Sequence, residues 1–233
     1  MDKFAYFDFA WTICPLYFVS EFNQAFSKEV RTELKNFAIS QQKLINEDKS
    51  LTYNEVVGIV NNVLSKLLEG QRVDYITEYV GKLFKGCKPY EYVSPLFQYL
   101  YKKGFNVEII TADCDFMIGS ILRKLPQGFK LKSSLMGIEN GKFTGKIKRL
   151  LNDKVKVDVI KEIETSSKNV LTIAFGDSQG DIPMLERANL GFFIKPDRQF
   201  FKDKQDLKDI VHIDNPDSKS STDYIIKRIE ELL

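Results

Sequence analysis

Three polar residues stand at the ends of apolar segments that have the length and composition of buried strands. Asp8 ends KFAYFD, Thr111 follows NVEII, and Asp177 lies in GDSQGD, just after NVLTIAF. In an open parallel sheet, ligands bind at the carboxyl ends of the strands. Two carboxylates and a hydroxyl at that edge suit a phosphate group and a hard divalent cation. A single acid at a strand end is more often a turn residue, so the prediction of one shared pocket rests on all three appearing together.

The elements that must position these residues alternate between strand and helix patterns after Pro89. Such alternation implies a mostly parallel sheet with helices on both faces, so the predicted fold class is a Rossmann-like α/β core. Within it, LKSSLMGIENGKFTGKI is predicted to be an irregular extended stretch with a hairpin at Asn140-Gly141. The predicted strands are 3–8, 106–110, 169–175, 190–194 and a weaker 209–213, and the predicted helices are 90–102, 114–124, 156–165, 180–188 and 222–232.

A helical block separates the first predicted strand from the second. Residues 53–68 (YNEVVGIVNNVLSKLL) place apolar side chains near a 3.6-residue period, and a further helix is predicted near 72–85. Because this block interrupts the strand–helix alternation, we expect it to be an inserted cap domain. The predicted domains are therefore an α/β core of residues 1–16 and 88–233 and an all-helical cap of residues 17–87.

Composition limits the partners and the location that we expect. The 34 basic and 32 acidic side chains give a net charge of +2, which favours neither nucleic acid nor an anionic membrane as a partner. No apolar run reaches the roughly 18 to 20 residues of a membrane-spanning helix, so the expected location is the cytoplasm. Cys14, Cys87 and Cys114 lack metal-binding spacing and are predicted to be free thiols in a reducing compartment.

Four segments together resemble the motif signature of the haloacid-dehalogenase superfamily. They are YFDFAWTI, EIITADCD, a lysine before a helix, and AFGDSQGDIPMLERA. GDSQGDIPML is the most specific of them, and with IKPD at 194–197 it resembles the phosphoserine-phosphatase-like branch (subfamily IB). That branch also has a helical cap between its first and second motifs. The resemblance covers nearly all of the core, and the cap by position only.

The resemblance implies a magnesium-dependent phosphomonoester hydrolase that acts on a small phosphorylated metabolite, as a monomer or homodimer. Asp8 would attack phosphorus and form an aspartyl-phosphate. Since a carboxylate and a phosphate repel each other, Mg²⁺ would bridge them, bound by oxygen ligands. The implied metal ligands are Asp8, Asp177, Asp181 and the backbone carbonyl of Ala10.

A second set of residues is implied to bind the transferred phosphate. Thr111 would donate its hydroxyl, and a lysine would neutralise charge in the transition state. Lys156 is the preferred lysine because a helical pattern with apolar spacing follows it, while Lys148 and Lys154 stay open. The implied phosphate-binding set is Thr111, Ala112, Lys156 and Gly176.

One residue of the family's catalytic set is missing. The position two residues after the nucleophile normally holds an aspartate that acts as general acid and base, and here it is Ala10. A methyl group transfers no proton, and losing a positioned acid or base typically lowers a rate by about 10²–10⁴. We therefore expect a chain that binds Mg²⁺ and substrate but turns over poorly. An engineered Asp-to-Ala substitution and a natural non-catalytic member both fit, and the otherwise intact set favours the former.

Several alternatives remain open at this level. A phosphotransferase would pass the phosphoryl group to an alcohol, and a regulatory module would bind a phospho-ligand without turnover. A response-regulator-like protein is disfavoured by the long helical insertion and by GDSQGD. Phosphoserine phosphatases carry a glutamate nine residues after the nucleophile, where this chain has Tyr17, so specificity for an amino-acid phosphate is in doubt. Trp11, Tyr17 and Phe18 suggest a partly apolar or ring-bearing substrate.

Overall fold

The centre of the protein is a seven-stranded sheet with helices packed on both faces. A computed structural model describes residues 1–15, 32, 53–166, 169–195 and 210–233. The strands are β1 (Asp2–Phe7), β2 (Phe105–Cys114), β3 (Lys130–Glu139), β4 (Lys142–Arg149), β5 (Val170–Gly176), β6 (Leu190–Ile194) and β7 (Ile210–Ile213). The helices in these ranges are α1 (Tyr53–Leu68), α2 (Val73–Leu83), α3 (Val93–Lys102), α4 (Asp115–Leu122), α5 (Asp153–Ser166), α6 (Ile182–Arg187) and α7 (Lys219–Glu230), with a 3-10 turn at Gln179–Asp181.

The strand order of the sheet is β4-β3-β2-β1-β5-β6-β7. Every neighbouring pair is parallel except β3 and β4, which form an antiparallel hairpin at one edge. β1 lies between β2 and β5, so the strands that carry the three polar tips are direct neighbours. The predicted fold class, a mostly parallel Rossmann-like sheet with helices, is confirmed.

Two predictions about the strands were wrong. The stretch expected to be irregular forms regular strands β3 and β4, although the predicted turn at Asn140-Gly141 is present, with positive φ at both residues. Bulges shift the register between these strands, which obscures the alternation that marks a strand in sequence. β2 continues to Cys114 instead of ending at residue 110, with a register shift after Thr111, because pairing with β3 holds its last residues extended.

The central strands are buried on both faces of the sheet. Phe7 of β1 and Phe175 of β5 stack with ring centroids 4.2 Å apart on one face. Tyr6 and Ala174 belong to a separate apolar cluster, so successive residues of each strand enter different cores. Burial on both sides explains why KFAYF and VLTIAF are continuously apolar.

The described part of the helical block packs against the β3–β4 hairpin. The Ser65 hydroxyl of α1 donates to the Gly145 carbonyl at 3.2 Å. Gln71 and Val73 extend this contact through backbone hydrogen bonds with Phe143 and Gly141. Much of the block lies outside the described residues, so the division into core and cap domains remains a prediction. None of the described helices is both long and apolar enough to cross a bilayer.

Two glycines should respond in opposite ways to substitution by alanine. A Cβ at Gly191 in β6 would lie 2.7 Å from the Leu185 carbonyl oxygen, whereas a Cβ at Gly81 in α2 meets nothing within 4 Å. We expect Gly191→Ala to lower the free energy of unfolding by about 1–3 kcal/mol through overpacking. Gly81→Ala should raise it by about 0.5–1 kcal/mol, because glycine is unfavourable inside a helix. Urea unfolding measures both, and equal effects would contradict the packing described.

Candidate active site

Asp8 follows β1 directly and lies at the carboxyl edge of the sheet. Its backbone N–H donates to the Phe175 carbonyl at 2.9 Å, which continues the β1–β5 pairing by one step. The residue is buried, at 7% exposure. Because Phe7 pairs with Ile109 on one side and Phe175 on the other, Asp8 begins its loop between the tips of β2 and β5.

The tip of β5 brings two further carboxylates to Asp8. Oxygen atoms of Asp8, Asp177 and Asp181 all lie within 4.8 Å of one another. Asp181 is held by its own turn, since its Oδ2 accepts hydrogen bonds from the Ser178 N–H at 3.0 Å and the Ser178 hydroxyl at 2.7 Å. A Cβ on Gly176 would lie 2.3 Å from the Asp181 Cβ, so glycine is required there for the close approach. Structurally, Gly176 makes room for Asp181.

Lys156 places its ammonium between two of these carboxylates. Its Nζ lies 2.6 Å from Asp8 Oδ1 and 2.6 Å from Asp181 Oδ1, and the residue is 2% exposed. Lys148 and Lys154 are exposed, so of the three candidate lysines Lys156 is the one in this cluster. Helix α5 begins three residues before the predicted start at 156, which puts Lys156 in its first turn.

Burial and crowding make the ionised form of this cluster unfavourable. Burial, with smaller contributions from Asp181 and Asp113, raises the pKa of Asp8 from its ordinary value of 3.8 to about 7, although Lys156 opposes the rise. Burial and the charge of Asp8 also raise the pKa of Asp177 well above its ordinary value. A divalent cation would favour the ionised carboxylates, so this cluster of oxygen ligands fits Mg²⁺.

The three carboxylates differ in how many of their oxygen atoms are free to bind a cation. Both oxygens of Asp181 already accept hydrogen bonds, from Lys156 and from Ser178. The Oδ1 atom of Asp177 accepts from the Thr12 hydroxyl at 3.1 Å. Among the described residues, no hydrogen bond reaches the other oxygen of Asp177. Asp8 and Asp177 are therefore the freer pair of ligands.

Thr111 lies near the carboxyl end of β2, just before its register shift, and is paired with an aspartate that the sequence reasoning missed. Its hydroxyl donates to Asp113 Oδ2 at 3.0 Å and accepts from the Asp113 backbone N–H at 3.1 Å. Burial raises the pKa of Asp113 to about 6, against the opposing effect of the Thr111 hydrogen bond. Ala112, between them, is half-buried. A threonine hydroxyl often accepts a hydrogen bond from the backbone N–H two residues on, and this local pattern could have drawn attention to Asp113.

The missing acid leaves a small, half-buried side chain in the loop after Asp8. Ala10 forms an isolated backbone bridge with Cys14. Trp11 has φ 57, in the left-handed region that favours glycine. The Lys195 ammonium lies 5.4 Å from the centroid of the Trp11 indole, a cation–π contact.

Two of the three aromatic residues suggested to contact the substrate, Tyr17 and Phe18, lie outside the described residues. The third, Trp11, lies in the loop after Asp8. Within the described part of the helical block, three further residues could face the site. Arg72 is exposed and forms an ion pair with Asp74, Tyr75 is 56% exposed, and Tyr79 is half-buried in α2.

The fold and the acidic pocket define a class, an α/β protein with a cluster of carboxylates and one lysine at the carboxyl edge of a parallel sheet. A family model described as haloacid dehalogenase-like hydrolase matches residues 21–186. This match covers well over half of the sequence. The chain therefore belongs to the haloacid dehalogenase-like hydrolase family.

Similar curated proteins include three phosphoserine phosphatases. The Lactococcus lactis enzyme is 35% identical over 106 residues, which is 43% of this chain and 49% of that protein. The Archaeoglobus fulgidus enzyme is 29% identical over 63% of this chain and 40% of its own length. The Methanocaldococcus jannaschii enzyme is 27% identical over 58% of this chain and 64% of its own length. The match thus spans less than two thirds of each of these relatives.

Solved structures share the fold at low sequence identity. A phospho-aspartyl intermediate analogue of phosphoserine phosphatase has a TM-score of 0.65 at 18% identity, covering 96% of this chain and 98% of that one. A Bordetella pertussis protein of unknown function has a TM-score of 0.68 at 16% identity, covering 92% and 99%. Cytosolic 5'-nucleotidase IIIB bound to cytidine has a TM-score of 0.65 at 15% identity, covering 99% and 86%. These likenesses establish the fold alone.

The raised pKa of Asp8 predicts how stability depends on pH without metal. Asp8 has a pKa of about 7 when folded and about 4 when unfolded, so between these values the folded state binds more protons. The free energy of unfolding should therefore fall as pH rises from 4 to 7. Over this pH range we expect the unsubstituted chain to lose about 2–4 kcal/mol more of its free energy of unfolding than the Asp8→Asn variant loses. Urea unfolding in a chelator measures it, and parallel pH curves for the two proteins would contradict the assignment.

Proposed function

We propose that the chain is an Mg²⁺-dependent phosphatase of the haloacid dehalogenase type that acts on a small phosphorylated metabolite. The observation that carries this proposal is the buried set in which Lys156 bridges Asp8 and Asp181 while Asp177 lies beside them. A nucleophilic carboxylate, an ammonium and additional oxygen ligands are what phosphoryl transfer through an aspartate requires.

In this proposal Asp8 is the nucleophile. One of its oxygens forms a bond to phosphorus while the bond from phosphorus to the leaving alcohol breaks, which gives an aspartyl-phosphate. Lys156 opposes the effect of burial on the pKa of Asp8, so it favours the ionised carboxylate that can attack. When bound, Mg²⁺ would neutralise charge on the phosphate and on the carboxylates, with Asp8, Asp177, Asp181 and the Ala10 carbonyl as its candidate ligands.

The protonation of Asp113 would determine whether Thr111 can donate a hydrogen bond to a bound phosphate. The Thr111 hydroxyl has one proton, and in the structure that proton is donated to Asp113. When Asp113 is protonated, it can donate to the Thr111 oxygen instead, so that Thr111 donates to a phosphate oxygen. The backbone N–H groups near Ala112 and the strand end at Gly176 complete the phosphate-binding set that we propose.

Ala10 determines which step should be slow. With a methyl group at position 10, no side chain there protonates the leaving alcohol or activates water against the aspartyl-phosphate. Turnover should therefore be impaired, with least effect on substrates that have good leaving groups. The same residue favours a second candidate function, a phospho-ligand-binding or regulatory protein. Asp8 and its contact with Lys156 speak for the enzyme, because binding alone requires no buried nucleophile.

The residues near Asp8 favour one class of phosphate ester, and this class need not include the substrate of the similar phosphoserine phosphatases. Three relatives are named phosphoserine phosphatases. The family resemblance implies a glutamate for that specificity at the position where this chain has Tyr17. We therefore propose a partly apolar or ring-bearing metabolite in the cytoplasm, handled by a monomer or homodimer without nucleic acid or a membrane. A phosphotransferase of the same family would differ only in passing the phosphoryl group to an alcohol instead of water.

Introducing an aspartate at position 10 tests the proposed function. With Mg²⁺ and a panel of phosphate esters, Ala10→Asp should release phosphate about 10²–10⁴ times faster than the chain as it stands, since a positioned acid and base is restored. The readout is inorganic phosphate, with added alcohols to detect transfer products.

The matched control is Asp8→Asn combined with Ala10→Asp, which should remove the gained activity because the amide is no nucleophile. No phosphate release above background from either protein on any ester would argue for the phospho-ligand-binding alternative, and equal, substantial release from both would contradict the role proposed for position 10. Transfer products without phosphate release would identify a phosphotransferase.

A further inference from the structure

Two of the three cysteines, distant in sequence, meet in the structure. Cys14 Sγ and Cys87 Sγ lie 2.6 Å apart, although the residues are separated by 73 positions. Both thiols are free, and both point to the Lys88 carbonyl oxygen, at 3.4 Å from Cys14 and 4.0 Å from Cys87. The two sulfurs would have to approach by only about half an ångström to reach the 2.05 Å of a disulfide bond.

These cysteines mark the two places where the chain passes between the core and the predicted cap. Cys14 ends the loop that begins with Asp8, and its carbonyl accepts from the Trp11 N–H at 2.8 Å. Cys87 precedes the segment that returns to the core at α3. The two connections already touch, because the Tyr90 N–H donates to the Ile13 carbonyl at 2.8 Å.

Further contacts tie the Cys14 connection to the site. The Tyr92 hydroxyl donates to the Thr12 carbonyl at 2.5 Å, and the Thr12 side chain donates to Asp177. A change in how the two connections are held together can therefore reach the loop that carries Asp8 and Thr12.

We propose that Cys14 and Cys87 are a reversible disulfide site that fastens the two core–cap connections to each other. A small hydroperoxide would oxidise the two thiols to the disulfide, and a dithiol would reduce the disulfide again. The cross-link stands on the sulfur geometry alone, while its effect on turnover rests on the proposed phosphatase function.

The unequal exposure of the two sulfurs determines which cysteine reacts with the peroxide first. Cys87 is partly exposed, whereas Cys14 is fully buried, and burial raises the pKa of the Cys14 thiol. The Cys87 thiolate attacks a peroxide oxygen, the O–O bond breaks, and a sulfenic acid and an alcohol or water form. The Cys14 sulfur then attacks the Cys87 sulfur, the S–O bond breaks, and hydroxide leaves as water with the Cys14 proton. Two thiols lose two electrons to one peroxide.

The cross-link should slow the phosphatase cycle. Because Cys14 ends the loop that carries Asp8 and Thr12, drawing its sulfur toward Cys87 would shift that loop and the Thr12 hydrogen bond to Asp177. We expect oxidation to lower kcat for phosphate release several-fold in the Ala10→Asp protein, and a dithiol to restore it.

The test compares full-length Cys87→Ser with Cys114→Ser. Cys114 is the matched control, since its buried thiol contacts Asn61 and not another sulfur. After mild hydrogen peroxide, the unsubstituted chain should lose two of its three thiols and the mass of two hydrogen atoms. Peptide mapping should show Cys14 joined to Cys87. Cys114→Ser should form the same cross-link, and Cys87→Ser should form none.

The outcomes separate this proposal from the proposed function. Sulfenic or sulfinic acid on Cys87 without a cross-link, or a cross-link to Cys114, would overturn the disulfide site. A cross-link that leaves kcat unchanged would overturn its effect on turnover. If the cross-link forms while neither redox state releases phosphate, the disulfide site stands and the phosphatase assignment fails.

Discussion

The candidate site depends on one buried ammonium held between two buried carboxylates. Lys156 contacts Asp8 and Asp181 at the same distance, and all three side chains are almost fully removed from water. A buried ion pair is not in itself a source of stability, because the desolvation of both partners offsets much of their attraction. The arrangement is better understood as a functional one, since it fixes the nucleophile and opposes the burial that would keep it protonated.

The fold supplies this arrangement through the parallel order of its central strands. β1 between β2 and β5 brings the tips that carry Asp8, Thr111 and Asp177 to one edge of the sheet. The central strands of the sheet are buried on both faces. Gly176 leaves room for Asp181, and the first turn of α5 delivers Lys156 from the side. The carboxylates come from strand ends and the turn after β5, and the ammonium comes from the start of a helix.

The sequence predicts the strand tips because a buried parallel strand is continuously apolar and its end is marked by a polar residue. It also favours Lys156 over Lys148 and Lys154 as the lysine of the site, since apolar spacing marks the helix that follows Lys156. β3 and β4 were missed because bulges break their alternation. Asp113 was missed because its importance comes from burial and from the Thr111 hydroxyl. The contact between Cys14 and Cys87 depends on how the chain returns from the helical block, which no local pattern reports.

The central claim is that Asp8 and Asp177 form an oxygen site for a divalent cation beside Lys156. Calorimetric titration of Mg²⁺ into the chain and into Asp177→Asn, at a pH above 7, tests it most directly. We expect one ion per chain, bound about tenfold or more weakly once Asp177 loses its charge. Equal affinity in the two proteins would contradict it.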